Sequence, residues 1–287
     1  MQSTLTSAIL SVKINHFGAE ICSIKNKQQT EFIWQADEEW KRYAPVLFPI
    51  VGKLKNDDYN FDTINYKLTQ HGFARDCTFT LISSNQNTCT FELKSSPKLK
   101  INYPFDFIFQ IQYKLIDNKL TVSYSVINPS NSLLYFSIGA HPAFSCQLNG
   151  NDTLNNYYLK FEASNFVFTQ LNNGLRTNQK SKLNIPKNKL ILSTNWFDND
   201  ALVFENSQIN KISLCSLIGN QKITIDCKNW PYFGIWAKKQ CNKFICLEPW
   251  HGIADNENTD TNLKTKDGIL TLKSLNTFNC SYSITIS

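Results

Sequence analysis

Phe107-Ile108-Phe109-Gln110-Ile111-Gln112-Tyr113-Lys114-Leu115-Ile116-Asp117-Asn118-Lys119-Leu120-Thr121-Val122-Ser123-Tyr124-Ser125-Val126 is the stretch that decides the fold. Phe107, Phe109, Ile111, Tyr113 and Leu115 alternate with mostly polar neighbours. Successive side chains of an extended chain point to opposite faces, so this period of two makes one face apolar. Asp117-Asn118 supplies a turn, and Leu120, Val122, Tyr124 and Val126 repeat the alternation on the way back. Asn128-Pro129-Ser130 then breaks the pattern, and an apolar run restarts at Leu133 and continues to Ile138. The reading is an antiparallel meander.

Outward from it, similar segments occupy residues 4–14, 19–25, 77–83, 88–94, 157–161, 212–217, 222–227, 233–237, 244–247, 269–272 and 280–286. Helical periodicity is scarce: residues 37–42 and 103–106 are each read as a single turn. Many short strands with few helices predict an all-β protein, a sandwich or a barrel. The Asn-rich patches at 149–156 and 172–178 read as loops, as does 255–265. No Gly/Ser-rich linker and no fixed-period repeat divides the chain, so one domain over 1–287 is expected.

The formal net charge is +6, but the lysines are scattered without a basic stripe or a nucleic-acid motif. No nucleic-acid partner is expected; the mild positive charge would help attract an anionic small molecule. No apolar run approaches the ~18 residues of a membrane span, so no membrane partner is expected either. Residues 1–10 lack the basic and apolar regions of a secretory signal. Nine cysteines form no Cys-x-x-Cys pair, and Cys241 and Cys246, the closest two, have no second pair at zinc-site spacing. Reduced cysteines in a cytoplasmic protein are the simplest account.

Three stretches carry the chemistry: His71-Gly72-Phe73-Ala74-Arg75, Gly139-Ala140-His141-Pro142-Ala143-Phe144 and Leu247-Glu248-Pro249-Trp250. Each sets a titratable side chain among apolar, aromatic or small residues. His141 ends an apolar run and is held extended by Pro142. Glu248 ends another, beside an indole, where desolvation raises a carboxyl toward general-base values. Two imidazoles and a carboxylate converging in a half-dry cleft make a general acid/base set. Arg75 offers a planar fork for hydroxyls or anions. Each residue has a plainer reading beside this one: a turn or core histidine, a solvated arginine, an edge-strand glutamate. Glu248 and His251 have the spacing of a two-ligand fragment, but no other ligand cluster joins them and no metal is expected. Asp200 is a further acidic candidate or a turn residue. Trp34, Phe144, Trp230, Trp236 and Trp250 are candidates for a stacking platform, although most aromatics in such a fold are core.

Taken in order with Pro45-Val46-Leu47-Phe48-Pro49-Ile50-Val51-Gly52, Tyr103-Pro104-Phe105-Asp106-Phe107, Gly252 and Gly268-Ile269-Leu270, these stretches resemble the aldose 1-epimerase (galactose mutarotase) superfamily, in its LacX-like branch. The resemblance spans most of the chain. It implies a large antiparallel β-sandwich of the galactose mutarotase-like type. It also implies cofactor-free interconversion of the α and β anomers of a hexose or hexose phosphate. By resemblance Glu248 is the general base, His141 the general acid, and His71 and Arg75 substrate contacts; Asp200 matches a hydroxyl-binding aspartate. Lys53 stands where many relatives carry arginine, and a point charge does not replace a fork. The base role requires an ionised carboxylate and the acid role a protonated imidazole at the start of the cycle. A monomer or homodimer is expected. Two other functions stay open: a non-catalytic sugar-binding or sugar-sensing sandwich, and a glycoside hydrolase, which needs two opposed carboxylates.

Overall fold

A computed structural model describes all 287 residues. Its strands pair antiparallel throughout, chiefly in two large sheets. The meander forms as its alternation predicts: Ile108–Ile116 pairs with Lys119–Ile127, with Val126 opposite Phe109, Tyr124 opposite Ile111, Val122 opposite Tyr113 and Leu120 opposite Leu115. All eight of these side chains are buried. The strand Thr277–Ile286 adds to the other edge of Lys119–Ile127 and also pairs with Lys222–Asp226, so the end of the chain joins the two halves of a nine-stranded sheet.

The second sheet has eight strands. From Leu202–Phe204 it runs through Tyr232–Trp236, Phe244–His251 and Ile138–Ala140 to Val46–Leu47 at the edge, with Ala143–Ser145 also on Phe244–His251. Phe109, Ile111 and Tyr113 from the first sheet share one apolar cluster with Phe204, Phe233, Ile235, Ile245 and Leu247 from the second. Phe48, beside the second sheet, stacks on Phe109 with centroids 4.8 Å apart. Burying each such side chain contributes about 1.5–3 kcal/mol, so the shared layer holds the sheets face to face.

Several local expectations change. Residues 4–14 form the hairpin Gln2–Thr6 and Leu10–Asn15, because the Ser7 hydroxyl accepts from Ile9 and Leu10 N–H and turns the chain. The one α-helical turn is Pro97–Lys100, capped by the Ser96 side chain on Leu99 N–H; residues 37–42 and 103–106 are irregular. The patch 172–178 is a tight turn at Asn173-Gly174 joining Asn165–Asn172 to Leu175–Asn184. No helix is long and apolar enough to cross a membrane.

Phe244–His251 is the strand that places the site. Ile245 and Leu247 face the shared core, while Phe244, Cys246 and Trp250 belong to two small apolar clusters on the opposite face. Glu248 falls on that opposite face, between Cys246 and Trp250.

Candidate active site

Glu248 is 1% exposed and pairs in register with Gly234. A Cβ at Gly234 would lie 2.4 Å from Cη2 and Cζ2 of Trp250, so glycine is what lets the indole lie against the strand beside the carboxylate. Across the strand, Ile138–Ala140 leads directly into His141, whose N–H donates to Pro45 O (3.1 Å). That short anchor brings His141 Nε2 to 3.2 Å from Glu248 Oε2. The imidazole is 7% exposed, stacked on Trp40 (5.0 Å) and met edge-on by Trp236 (5.8 Å) and His71 (5.4 Å).

Burial is the first cause of every shift here. It pushes the Glu248 carboxyl well above 4.5, with the charge of Asp200 adding to the rise and the Trp250 indole opposing it. It pulls His141 below 6.5, and Arg75 pulls in the same direction. Burial thus weighs against the charged form of each group. The carboxylate and imidazolium expected at the start of the cycle must therefore be stabilised against desolvation of both charges.

His71 sits in left-handed backbone (φ 68°). Gly72 follows at φ 69°, and a Cβ there would lie 2.4 Å from Phe48 O, so this close turn requires glycine. Gly52 N–H donates to His71 Nδ1 (3.1 Å), which fixes the neutral ring as the Nε2–H tautomer. Burial, then His141 and Arg75, hold its pKa well below 6.5. His71 is thus a neutral donor. Arg75 donates from Nη2 to Gln70 O (2.5 Å). Burial lowers it only to about 10, so it stays charged at neutral pH.

Glu248, His141, His71, Arg75 and Asp200 line one cavity of about 410 Å³, within the usual size of small-molecule sites. Asp200 Oδ1 accepts from Ala201 N–H (2.7 Å) in left-handed backbone, so it is a turn residue that also faces the cavity. Lys53 does not line it; its Nζ donates to Asn173 O (3.2 Å). Of the nominated aromatics, Trp236 and Trp250 face the cavity, whereas Trp34, Phe144 and Trp230 are core. His251 lies on the other face of its strand from Glu248 and packs on Trp230 (4.5 Å) and Phe278 (5.3 Å), so the two do not form a ligand pair.

The linear reading missed Trp40 and Arg176. Arg176 is buried, donating from Nε to Ala254 O (2.8 Å) and from Nη2 to Asp267 (2.5 Å). It fixes the cavity wall at Ala254. Behind that wall Lys266 and Asp255 form a buried ion pair (3.2 Å).

Five buried side-chain polar atoms have no well-formed protein partner, and four belong to cavity residues: Arg75 Nε, His141 Nδ1, Glu248 Oε2 and Trp250 Nε1. Glu248 Oε2 meets only the His141 Nε2 at 3.2 Å, and the unpartnered His141 atom is the other ring nitrogen, Nδ1. Buried polar groups without partners are costly and rare. Gathered in one cavity, they suit a ligand dense in hydroxyls.

Residues 1–269 match the family model described as aldose 1-epimerase. The chain is 31% identical over 300 residues to the chromosomal LacX protein of Lactococcus lactis subsp. lactis, covering all of this chain and 99% of that one. A galactose mutarotase related enzyme from Lactobacillus acidophilus superposes with a TM-score of 0.95 at 34% identity, over 100% of this chain and 97% of that one. A galactose mutarotase-like protein from Lactobacillus casei gives 0.91 at 29%, over the full length of both. The all-β architecture is the one those structures share, and the chain belongs to the aldose 1-epimerase family.

Proposed function

We propose that this protein is a mutarotase, interconverting the α and β anomers of a hexose or hexose phosphate without a cofactor. The observation that carries the reading is the buried Glu248–His141 pair, 3.2 Å apart and facing a cavity with unpartnered polar atoms. Nine unpaired cysteines suit a reducing compartment, and a cytoplasmic location is part of the same proposal.

The pair holds one proton throughout. With a ring-form sugar bound, that proton sits on His141 and Glu248 is ionised, the carboxylate being stabilised by hydrogen bonds that the sugar and Trp250 supply. Glu248 takes the proton of the anomeric hydroxyl, His141 gives its proton to the ring oxygen, and the C1–O5 bond breaks to leave an open-chain aldehyde. The pair is then neutral, the form that burial favours. Rotation about C1–C2 presents the other carbonyl face. The O5 hydroxyl attacks C1, His141 takes back its proton, and Glu248 protonates the carbonyl oxygen. Both protonation states thus lie on the cycle, and the catalyst returns unchanged. His71, a neutral Nε2–H donor, and Arg75 hold hydroxyls or an anionic substituent, while Trp40 and Trp236 wall the imidazole from water. Acid and base groups of this kind each contribute ~10²–10⁴-fold.

The test follows optical rotation of freshly dissolved α-glucose, α-galactose and their 6-phosphates. Acceleration of at least one sugar over buffer is expected. Binding with no acceleration of any would leave a sugar-binding module instead; release of reducing sugar from a glycoside would point to hydrolysis.

A further inference from the structure

The register of the second sheet creates a cluster invisible in the linear sequence. Ala143 pairs with Cys246, which puts the strand after His141 directly against the strand that carries Cys246 and Glu248. Cys246 precedes Glu248 by two residues and so shares its face. One ligand atom each from His141, Cys246 and Glu248 lies within 4.8 Å of the others, and all three residues are buried. We propose that these three side chains form a binding site for a soft divalent cation, Zn²⁺, reached through the cavity, and that occupancy silences the acid/base pair.

The donor set argues for the cation class. Thiolate, imidazole and carboxylate are ligands that zinc accepts at about 2.0–2.3 Å in tetrahedral geometry. Such bonds place neighbouring donors roughly 3.3–3.8 Å apart by that geometry, so the three atoms, now within 4.8 Å of one another, close in on the ion when it binds. Three protein ligands leave a fourth position for water, and two of the three, His141 and Glu248, line the cavity. Mg²⁺ and Ca²⁺ prefer oxygen donors at higher coordination number and do not fit.

Charge closes the argument. Zn²⁺ binds Cys246 as thiolate, Glu248 as carboxylate and His141 as neutral imidazole through a ring nitrogen, and any protons these groups carried pass to solvent. Two positive charges meet two negative ones, and the buried centre remains neutral overall. A buried site tolerates a neutral complex far better than an isolated charge. Free Glu248 Oε2 and His141 Nδ1 have no well-formed partner to give up. A cation on both residues leaves neither able to exchange a proton with a sugar.

Binding does not depend on the mutarotase reading; only the silencing does. The test uses the metal-stripped full-length protein with Co²⁺ as the probe, since thiolate-bound tetrahedral Co²⁺ has a near-ultraviolet charge-transfer band. One equivalent is expected to produce the band, Zn²⁺ to abolish it by displacement, and Cys246→Ser to lose it. Glu248→Gln is expected to keep the band while weakening Co²⁺ binding tenfold or more. No band in the wild type overturns the proposal, and so does an unchanged band in Cys246→Ser, which would move the thiolate to another of the nine cysteines. Should Cys246→Ser not fold, His141→Asn decides: unchanged Co²⁺ affinity overturns the site. Full sugar turnover at Zn²⁺ concentrations that displace all the Co²⁺ refutes silencing. A protein without turnover that still shows the band would sink the mutarotase reading alone.

Discussion

Replacing Glu248 by glutamine raises the protein's stability at neutral pH, by an amount that grows with pH. The native carboxyl is buried, and its pKa lies well above 4.5, first through desolvation, then through the charge of Asp200. A raised native pKa means that the favourable contribution is fully present below 4.5 and is lost as pH climbs toward the native value, because the unfolded chain releases a proton that the native protein keeps. Each pH unit in that window costs about 1.4 kcal/mol. Glutamine is isosteric and does not ionise, so the variant lacks this slope. His141, also held neutral by burial, behaves alike in both proteins above its lowered pKa and cancels. In a chain near this size each kcal/mol moves the Tm by about 2–4 °C, so one pH unit separates the two melting curves by about 3–6 °C. Thermal melts from pH 4.5 to 7.5 measure this. An ion pair at rest predicts the opposite sign, since removing one member of a buried pair costs about 3–5 kcal/mol. A variant less stable than wild type at pH 7, or melting curves that stay parallel, would refute the neutral-pair reasoning.

The kcat/KM profile for anomerisation is expected to be bell-shaped, because only the one-proton pair works; its acid limb lies below 6.5 and its alkaline limb above 4.5, given the opposed shifts of His141 and Glu248. An acid limb at the ordinary imidazole value, read from initial rates between pH 3.5 and 9, would contradict this. Gly234→Ala drives a Cβ into the Trp250 ring, costing about 1–3 kcal/mol in a melt and slowing turnover by moving the cavity wall. Lys53→Ala leaves KM within about twofold, since its hydrogen bond is spent on Asn173, whereas Arg75→Ala, removing a charge-assisted contact of about 1.5–3 kcal/mol, raises KM about 10-fold or more. Equal effects of the two in steady-state kinetics would reverse that assignment.

The paired strands Ile108–Ile116 and Lys119–Ile127 were legible because one face of each is core and the other is water, so alternation records burial directly. Leu175–Asn184 was not, since it is an edge strand whose residues are mostly polar on both faces. His141 and Glu248 stood out because a titratable group ending an apolar run is unusual, and His71 because Gly72, Phe73 and Ala74 follow it. Arg176 did not, because its burial comes from Ala254 and Asp267, 78 and 91 residues away. Trp40 was hidden in an irregular segment whose position is set by the imidazole it stacks on. The proximity of Cys246 to His141 is a product of strand register, and periodicity carries no information about which strands become neighbours.

The most direct test measures exchange between the α and β anomeric signals of a ¹³C1-labelled hexose at equilibrium, by magnetisation transfer, with wild type and Glu248→Gln. The account predicts exchange far above the protein-free rate with wild type and its loss in the variant. Exchange at the buffer rate with wild type across the hexoses and their 6-phosphates, or undiminished exchange in the variant, would contradict it.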